Sequence, residues 1–460
     1  MSKHSKTTSD VLHLAAVLLP IAILLVTVAL ASLSWQKHEQ ELHAALSEVS
    51  RDGQGIGHAT VVRLHDAETS KEDVATWKEI LAASQAHDQQ FGAPFTWTRD
   101  DDDSYEFLVS PGETWEAGQI VHVYAENAKP ILAKIETLLN SDETIWMPLV
   151  AESFYTNLSE VQHSRSVARL LRYVFLDAIH HGDNETALMT IKASHRLFGP
   201  KQKSLFLVGQ LVQQACYSVM LKDLQLSLAV DVWTDEQLAE IESILSRPMN
   251  WDQRWASCVQ SEIESFLPIL ADGKIESRLH GTNLPLESFK LAPSSFISII
   301  RRQQQLMETP SALSDRDVDK IHDVFRSQEY FASDIAADRL LQLPMMSSEW
   351  IAGLVTPAYG ALAGAFCRNA NDHRFTRTLL AVRKFEHEFD RWPESLDELS
   401  RVGLPRSETQ TFDGGSFATE VDENGQMVVY DQAQSTTVYE SLSNQPAVFV
   451  TLVRGKNSDR

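Results

Sequence analysis

Sixteen histidines, three cysteines and a surplus of carboxylates are the raw material for chemistry in this chain. Metal ligation is tested first, because two imidazoles four residues apart on a helix share a face and can close on one ion. His38 and His43 in HEQELH stand five apart and miss that register. His180 and His181, followed by Asp183, fall at an expected helix end, where the dipole favours an imidazole. That trio reads as a cap rather than a ligand set. The acidic run Asp100 to Asp103 lacks the alternation and glycine of a calcium loop and reads as a solvated loop. Nucleophiles fare no better. No G-x-S-x-G elbow occurs, and no penicillin-binding-protein set built on S-x-x-K is assembled. Gly53, Gly55 and Gly57 form G-x-G-x-G without a following βαβ unit or phosphate-loop lysine, which makes them a flexible joint. Glu262 and Glu264 are two apart and point in different directions on a helix, so they form no general acid/base pair. No catalytic, cofactor-binding or metal residue is assigned from sequence, and no cofactor is expected.

The cysteines, Cys216, Cys258 and Cys367, are too scattered for a disulfide framework or a zinc cage. Cys216 and Cys367 lie among apolar neighbours on expected helices and read as buried thiols. One disulfide between two of the three stays open in an oxidising compartment.

The elements that must position these side chains begin with a membrane anchor. Residues 11–33 (VLHLAAVLLPIAILLVTVALASL) carry no formal charge and are long enough to span a hydrocarbon core of roughly 30 Å. Lys3 and Lys6 precede the span and Trp35 follows it, so the N-terminus is expected in the cytoplasm and the bulk of the chain outside it. A cleaved signal peptide is the rival reading, since Ala29-Leu30-Ala31 has the form of a cleavage site. The apolar run is too long for it. A second uncharged run, 350–367, carries Gly360 and Gly364 at close-packing spacing. Its Ala and Gly content, with Thr356-Pro357 as a helix start, reads as a buried helix rather than a second span.

The formal charge of −23 and the absence of a basic cluster argue against nucleic acid, since phosphate binding needs gathered Lys and Arg. At 43% hydrophobic and 22% charged, the chain is globular in composition. Residues 1–10 form a cytoplasmic tail, 11–33 the membrane helix, and 34–66 a stalk and joint. Residues 67–270 read as a helical-hairpin domain, 271–295 as a linker, and 296–400 as a second helical region. Residues 401–460 form a small β-rich end. Ser70 caps a helix to about Ala86. Another starts near Glu113, breaks near Pro130 and resumes to Leu139. Helices then end at Gly182-Asp183 and Gly199-Pro200, and Thr234 with Gln237 makes a capping box. Turns at Asp413-Gly414 and Asn424-Gly425, and a last strand within 446–454, complete an antiparallel sheet. The class is mainly α: an irregular helical-hairpin array with a tetratricopeptide or α-solenoid flavour, closed by that sheet.

The anchor and stalk, AENAKPILAKIETLL, the helix–Gly-Asp–helix stretch around Gly182, WTDEQLAEIESIL and FEHEFDRWPESLDEL before a small sheet occur in a telling order. In that order the chain resembles a family of uncharacterised single-pass bacterial membrane proteins of the type common in planctomycetes. The end from Arg377 to Tyr430 is also similar to the helix-then-sheet ending of pseudopilins, without the pilin processing motif. The resemblance implies an anchored helical ectodomain and brings no activity and no site residues. The expected function is a non-enzymatic interaction or scaffold module of the cell envelope. It is held to the bilayer by its N-terminal helix and binds an envelope protein that presents basic patches. The alternatives are an extracytoplasmic hydrolase whose site is assembled from distant residues, and an accessory part of a secretion or pilus-like system.

Overall fold

The computed structural model describes residues 69–92, 114–146, 159–200, 207–247, 357–411, 415–431 and 449–453, with scattered single positions besides. Apart from such positions, the expected membrane span 11–33, the stalk and joint 34–66, the linker 271–295 and the helices expected over 296–328 lie outside the described residues. Among the described residues no helix is long and apolar enough to cross a membrane. What is described is mainly helical, with a three-stranded antiparallel sheet near the C-terminus.

Helix α1 (Lys71–Phe91) starts where Ser70 accepts a hydrogen bond from the Asp73 amide at 3.2 Å, with Glu72 and Asp73 at its positive end. It runs past the expected stop near Ala86, because His87 is buried and donates to the Tyr124 carbonyl at 3.1 Å. Helix α2 (Gly118–Leu139) passes straight through Pro130, where a break was expected. The apolar series Val121, Tyr124, Ala128, Ile131, Ile135 and Leu138 keeps its helical spacing across the proline and is buried throughout. Pro130 and Glu126, whose carbonyl loses its donor, both lie on the exposed side, where that carbonyl is open to solvent.

Helix α3 (Ser159–His181) ends at Gly182 in the left-handed region (φ 71°), and the Asp183 amide returns to the Ala178 carbonyl at 2.8 Å. Asp183 then caps α4 (Asn184–Phe198), accepting from the Thr186 amide at 3.1 Å. Helix α5 (Leu207–Ala229) is buried around most of its circumference, including Gln210, Gln213, Gln214 and Asp223, with Ala215 and Lys222 exposed on the remaining face. Helix α6 (Asp235–Leu245) opens with the expected Thr234/Gln237 capping box, both bonds present. Helix α7 (Pro357–Phe389) begins at the expected proline and carries Phe366 and Cys367 into the core. A 3-10 helix (Leu396–Val402) and the strands β1 (Phe417–Val421), β2 (Met427–Asp431) and β3 (Phe449–Leu452) finish the fold. The β1–β2 turn uses Gly425 at φ 77°, as Asn424-Gly425 implied, while Asp413-Gly414 lies outside the described residues.

Helices α3, α4 and α5 follow one another in hairpin order and pack on each other. Helix α3 is covered by α1, α2, α4 and α5, and α7 returns from far along the chain onto α5 and α6. The cause is α5 itself: it is buried around most of its circumference and so needs cover from several helices, and only the strip through Ala215 and Lys222 reaches solvent. One hydrophobic core runs from Trp77 in α1 to Leu452 in β3.

A single guanidinium closes this arrangement. Arg383 of α7, 1% exposed, donates to the Leu228 carbonyl (Nη2, 2.9 Å) and the Val453 carbonyl (Nη1, 3.0 Å). The Val453 amide donates to Ala229 at 2.9 Å. Helix α7, the end of α5 and the end of β3 thus meet on one side chain. Arg383→Met should lower stability by about 3–5 kcal/mol, because buried carbonyls lose their donor and Glu386 its counter-charge. Arg383→Lys should recover only part of this, since an ammonium lacks the planar fork. Denaturant titration checks both, and a loss under 1 kcal/mol for Met would show that the fold does not hang on this residue.

Candidate functional site

Two adjacent helices each present an imidazole and a carboxylate one helical turn apart: His122 and Glu126 on α2, Asp177 and His181 on α3. Residues four apart share a helix face, so the pairs project towards each other where α2 passes the C-terminal turn of α3. His122 Nδ1 lies 3.2 and 3.1 Å from the two Asp177 carboxylate oxygens. His181 Nδ1 donates to the Asp177 main-chain carbonyl at 2.9 Å and lies 3.1 Å from the Asp177 carboxylate. The two rings are 4.8 Å apart and inclined at 44°. Asp177 is 12% exposed, His122 46% and His181 50%, so a sheltered carboxylate supports two rings that reach solvent. Glu126 is held below the usual carboxylate range, first by its hydrogen bond to Lys129 and to a lesser degree by the charges of His122 and His181.

The residues singled out in the sequence are divided differently. His181 does bond a carbonyl of its own last turn, in keeping with a helix-end role. His180 turns away and meets Trp115 edge-on at 5.3 Å, while Asp183 serves the N-terminus of α4. His122 and Asp177 had no place in the sequence reading. Their signal was present as two imidazole–carboxylate pairs at i, i+4, a pattern that a search for two histidines on one helix passes over. Cys216 and Cys367 are buried thiols, and burial pushes the Cys216 thiol up to about 12, which keeps it protonated. Cys258, Glu262, Glu264, the Asp100 to Asp103 run, the glycines at 53, 55 and 57, and the His38/His43 pair lie outside the described residues.

A second cluster joins α7 to the α5–α6 turn. His387 Nε2 is 2.7 Å from Asp231 and Nδ1 is 2.6 Å from Asp235, with Glu386 3.9 Å away. Both ring nitrogens face carboxylates, an arrangement that only a doubly protonated ring satisfies. This is an ion-pair clamp with its nitrogens already occupied.

Between α5 and α7 runs a buried polar seam. Asn369 Nδ2 donates to Gln214 Oε1 at 2.7 Å, Gln225 Nε2 donates to Thr376 at 2.9 Å, and Ser218 lies between Asn369 and Asp372. Burial raises Asp372 above the usual carboxylate range. Deeper in, Arg172 and Asp223 pair at 3.3 Å, and burial pushes Asp223 up to about 7 against the pull of that arginine. These groups hold helices in register. They are enclosed, whereas the His122–Asp177–His181 trio is open to solvent.

Compared with protein-family models, curated proteins and solved structures, the chain has no match. The family likeness drawn from the order of sequence features therefore stands on that order alone.

Burial, aided by Arg377, pushes His373 down to about 3. The unfolded chain takes up that proton near pH 6.5, the folded chain only near 3, so acid favours unfolding. The contribution is full above pH 6.5 and is lost progressively as pH falls towards 3. Urea midpoints of wild type and His373→Gln, compared from pH 7 to pH 4, should show the variant's stability falling by at least about 1 kcal/mol less. Equal slopes would assign the acid sensitivity to other groups.

Proposed function

We propose that the protein is an envelope module, held to the bilayer by residues 11–33, whose helical body outside the cytoplasm binds a second envelope protein and performs no turnover of its own. The observation that carries this reading is on the outer side of α2. Ile120 and Val123 are 59% and 48% exposed, side by side on a helix whose other large apolar residues are buried or partly buried. Exposed β-branched residues one turn apart form the kind of apolar centre that a partner covers. The chain around them has a formal charge of −23, so the matching surface is apolar at its centre and basic at its rim. The sheltered positions of the cysteine thiol and of the seam carboxylates support a structural use of those groups.

The test places a photo-crosslinking residue at Ile120 or Val123 of the full-length protein in its native membrane. The same residue at the exposed Glu420 in β1 is the control. A discrete adduct from the α2 positions is expected, weaker as salt rises past about 0.1 M, where the Debye length is near 10 Å. Labelling that does not differ from the control would remove the docking face. Hydrolytic turnover by the purified protein, abolished by one substitution that leaves the fold intact, would replace the binding reading with an enzymatic one. Topology is checked separately. Reporter fusions after Trp35 and after Arg460 should both report the outside, and an inside signal at Arg460 would refute a single span.

A further inference from the structure

We infer that His122, Asp177 and His181 form a binding site for a divalent transition-metal ion of the zinc class, built across the α2–α3 joint. This goes beyond the envelope-module reading and does not depend on it. One donor atom from each residue lies within 4.8 Å of the others. A tetrahedral ion with bonds of about 2.0–2.2 Å needs its donors roughly 3.4 Å apart. The His122–Asp177 pair is already at 3.1 Å, and both rings are half exposed, with room to turn about their own side-chain bonds.

The outer support of such a site is also present. A ligating histidine ordinarily donates its second N–H to a carbonyl or carboxylate, which fixes the tautomer and turns the other nitrogen towards the metal. His181 Nδ1 makes that bond, to the Asp177 carbonyl at 2.9 Å, and leaves Nε2 for the ion. Asp177, 12% exposed, is the firm element and the rings are the adjustable ones.

The donor set selects the ion. Two imidazoles with carboxylate oxygen suit zinc and its first-row neighbours, while magnesium and calcium require mostly oxygen ligands. The Asp177 carboxylate beside the two imidazoles supplies the negative charge that attracts a cation. The His387 cluster lacks this character, because both of its nitrogens are committed to Asp231 and Asp235. Three protein ligands and a position open to solvent also distinguish the trio from a closed structural zinc site.

The experiment uses the full-length protein in detergent, stripped with chelator and titrated with Co²⁺ and then Zn²⁺. One saturable Co²⁺ site with visible ligand-field bands is expected, displaced by stoichiometric Zn²⁺ and insensitive to excess Mg²⁺ or Ca²⁺. Affinity should fall as pH drops below about 6.5, where imidazoles protonate. His122→Ala and His181→Ala should each weaken binding by at least about tenfold, with unchanged far-UV circular dichroism. His163→Ala, at the other end of α3, should bind as wild type does. Because His122 is exposed and lies in the second turn of α2, its variant keeps the test decisive even if His181→Ala disturbs the end of α3. Absence of a saturable site, or one of equal affinity in the His122→Ala/His181→Ala double variant, would overturn the assignment.

Discussion

The last carbonyls of a helix have no partners within it, and inside a protein they must find donors elsewhere or the helix cannot be buried. Helix α5 ends in the core, and Arg383 supplies what its end lacks. That requirement fixes how α7 lies along α5, since a shift of one turn would carry the guanidinium away from Leu228. With the register set, Asn369 falls opposite Gln214 and Thr376 opposite Gln225. Beyond α7, Arg391 makes a two-point pair with Glu398 at 2.9 and 2.8 Å, and Trp392 Nε1 donates to the Gly425 carbonyl. The sheet is hung from the helix that Arg383 has positioned.

Ionisable groups fall into two environments. Enclosed ones (Asp223, His373, Asp372) are shifted mainly by burial, and their chemistry is confined to holding helices together. At the α2–α3 joint the groups are half in water, so ring nitrogens stay within reach of solutes. Desolvation is what separates the two, since a buried charge without a partner costs several kcal/mol.

Features decided within a few residues could be read from the sequence. Gly182-Asp183 had to end one helix and start the next. Thr234 and Gln237 had to form a box, and Asn424-Gly425 had to turn a hairpin, because backbone geometry at those positions depends on local side chains alone. Pro130 was misread because its tolerance depends on facing solvent, which is a property of the packed molecule. The return of α7 onto α5 joins residues more than a hundred positions apart, and nothing local in Arg383 marks it as the donor for Leu228. The α2–α3 cluster was half legible. Each imidazole–carboxylate pair has helical spacing, but only tertiary structure shows that Asp177 serves both rings.

The bond between Val453 and Ala229 bears on synthesis. Helix α5 emerges from the ribosome long before the strand that completes it. At about 5–20 residues per second, the interval between residues 229 and 453 is roughly 10–45 s. The side of α5 that packs on α7 waits for residues 357–389, and the side that packs on β3 waits longest, for residues 449–453. Native closure is therefore a late event, set by completion of the polypeptide rather than by the speed of helix formation. A premature stop in the last strand would remove the Val453–Ala229 bond and leave that side of α5 open.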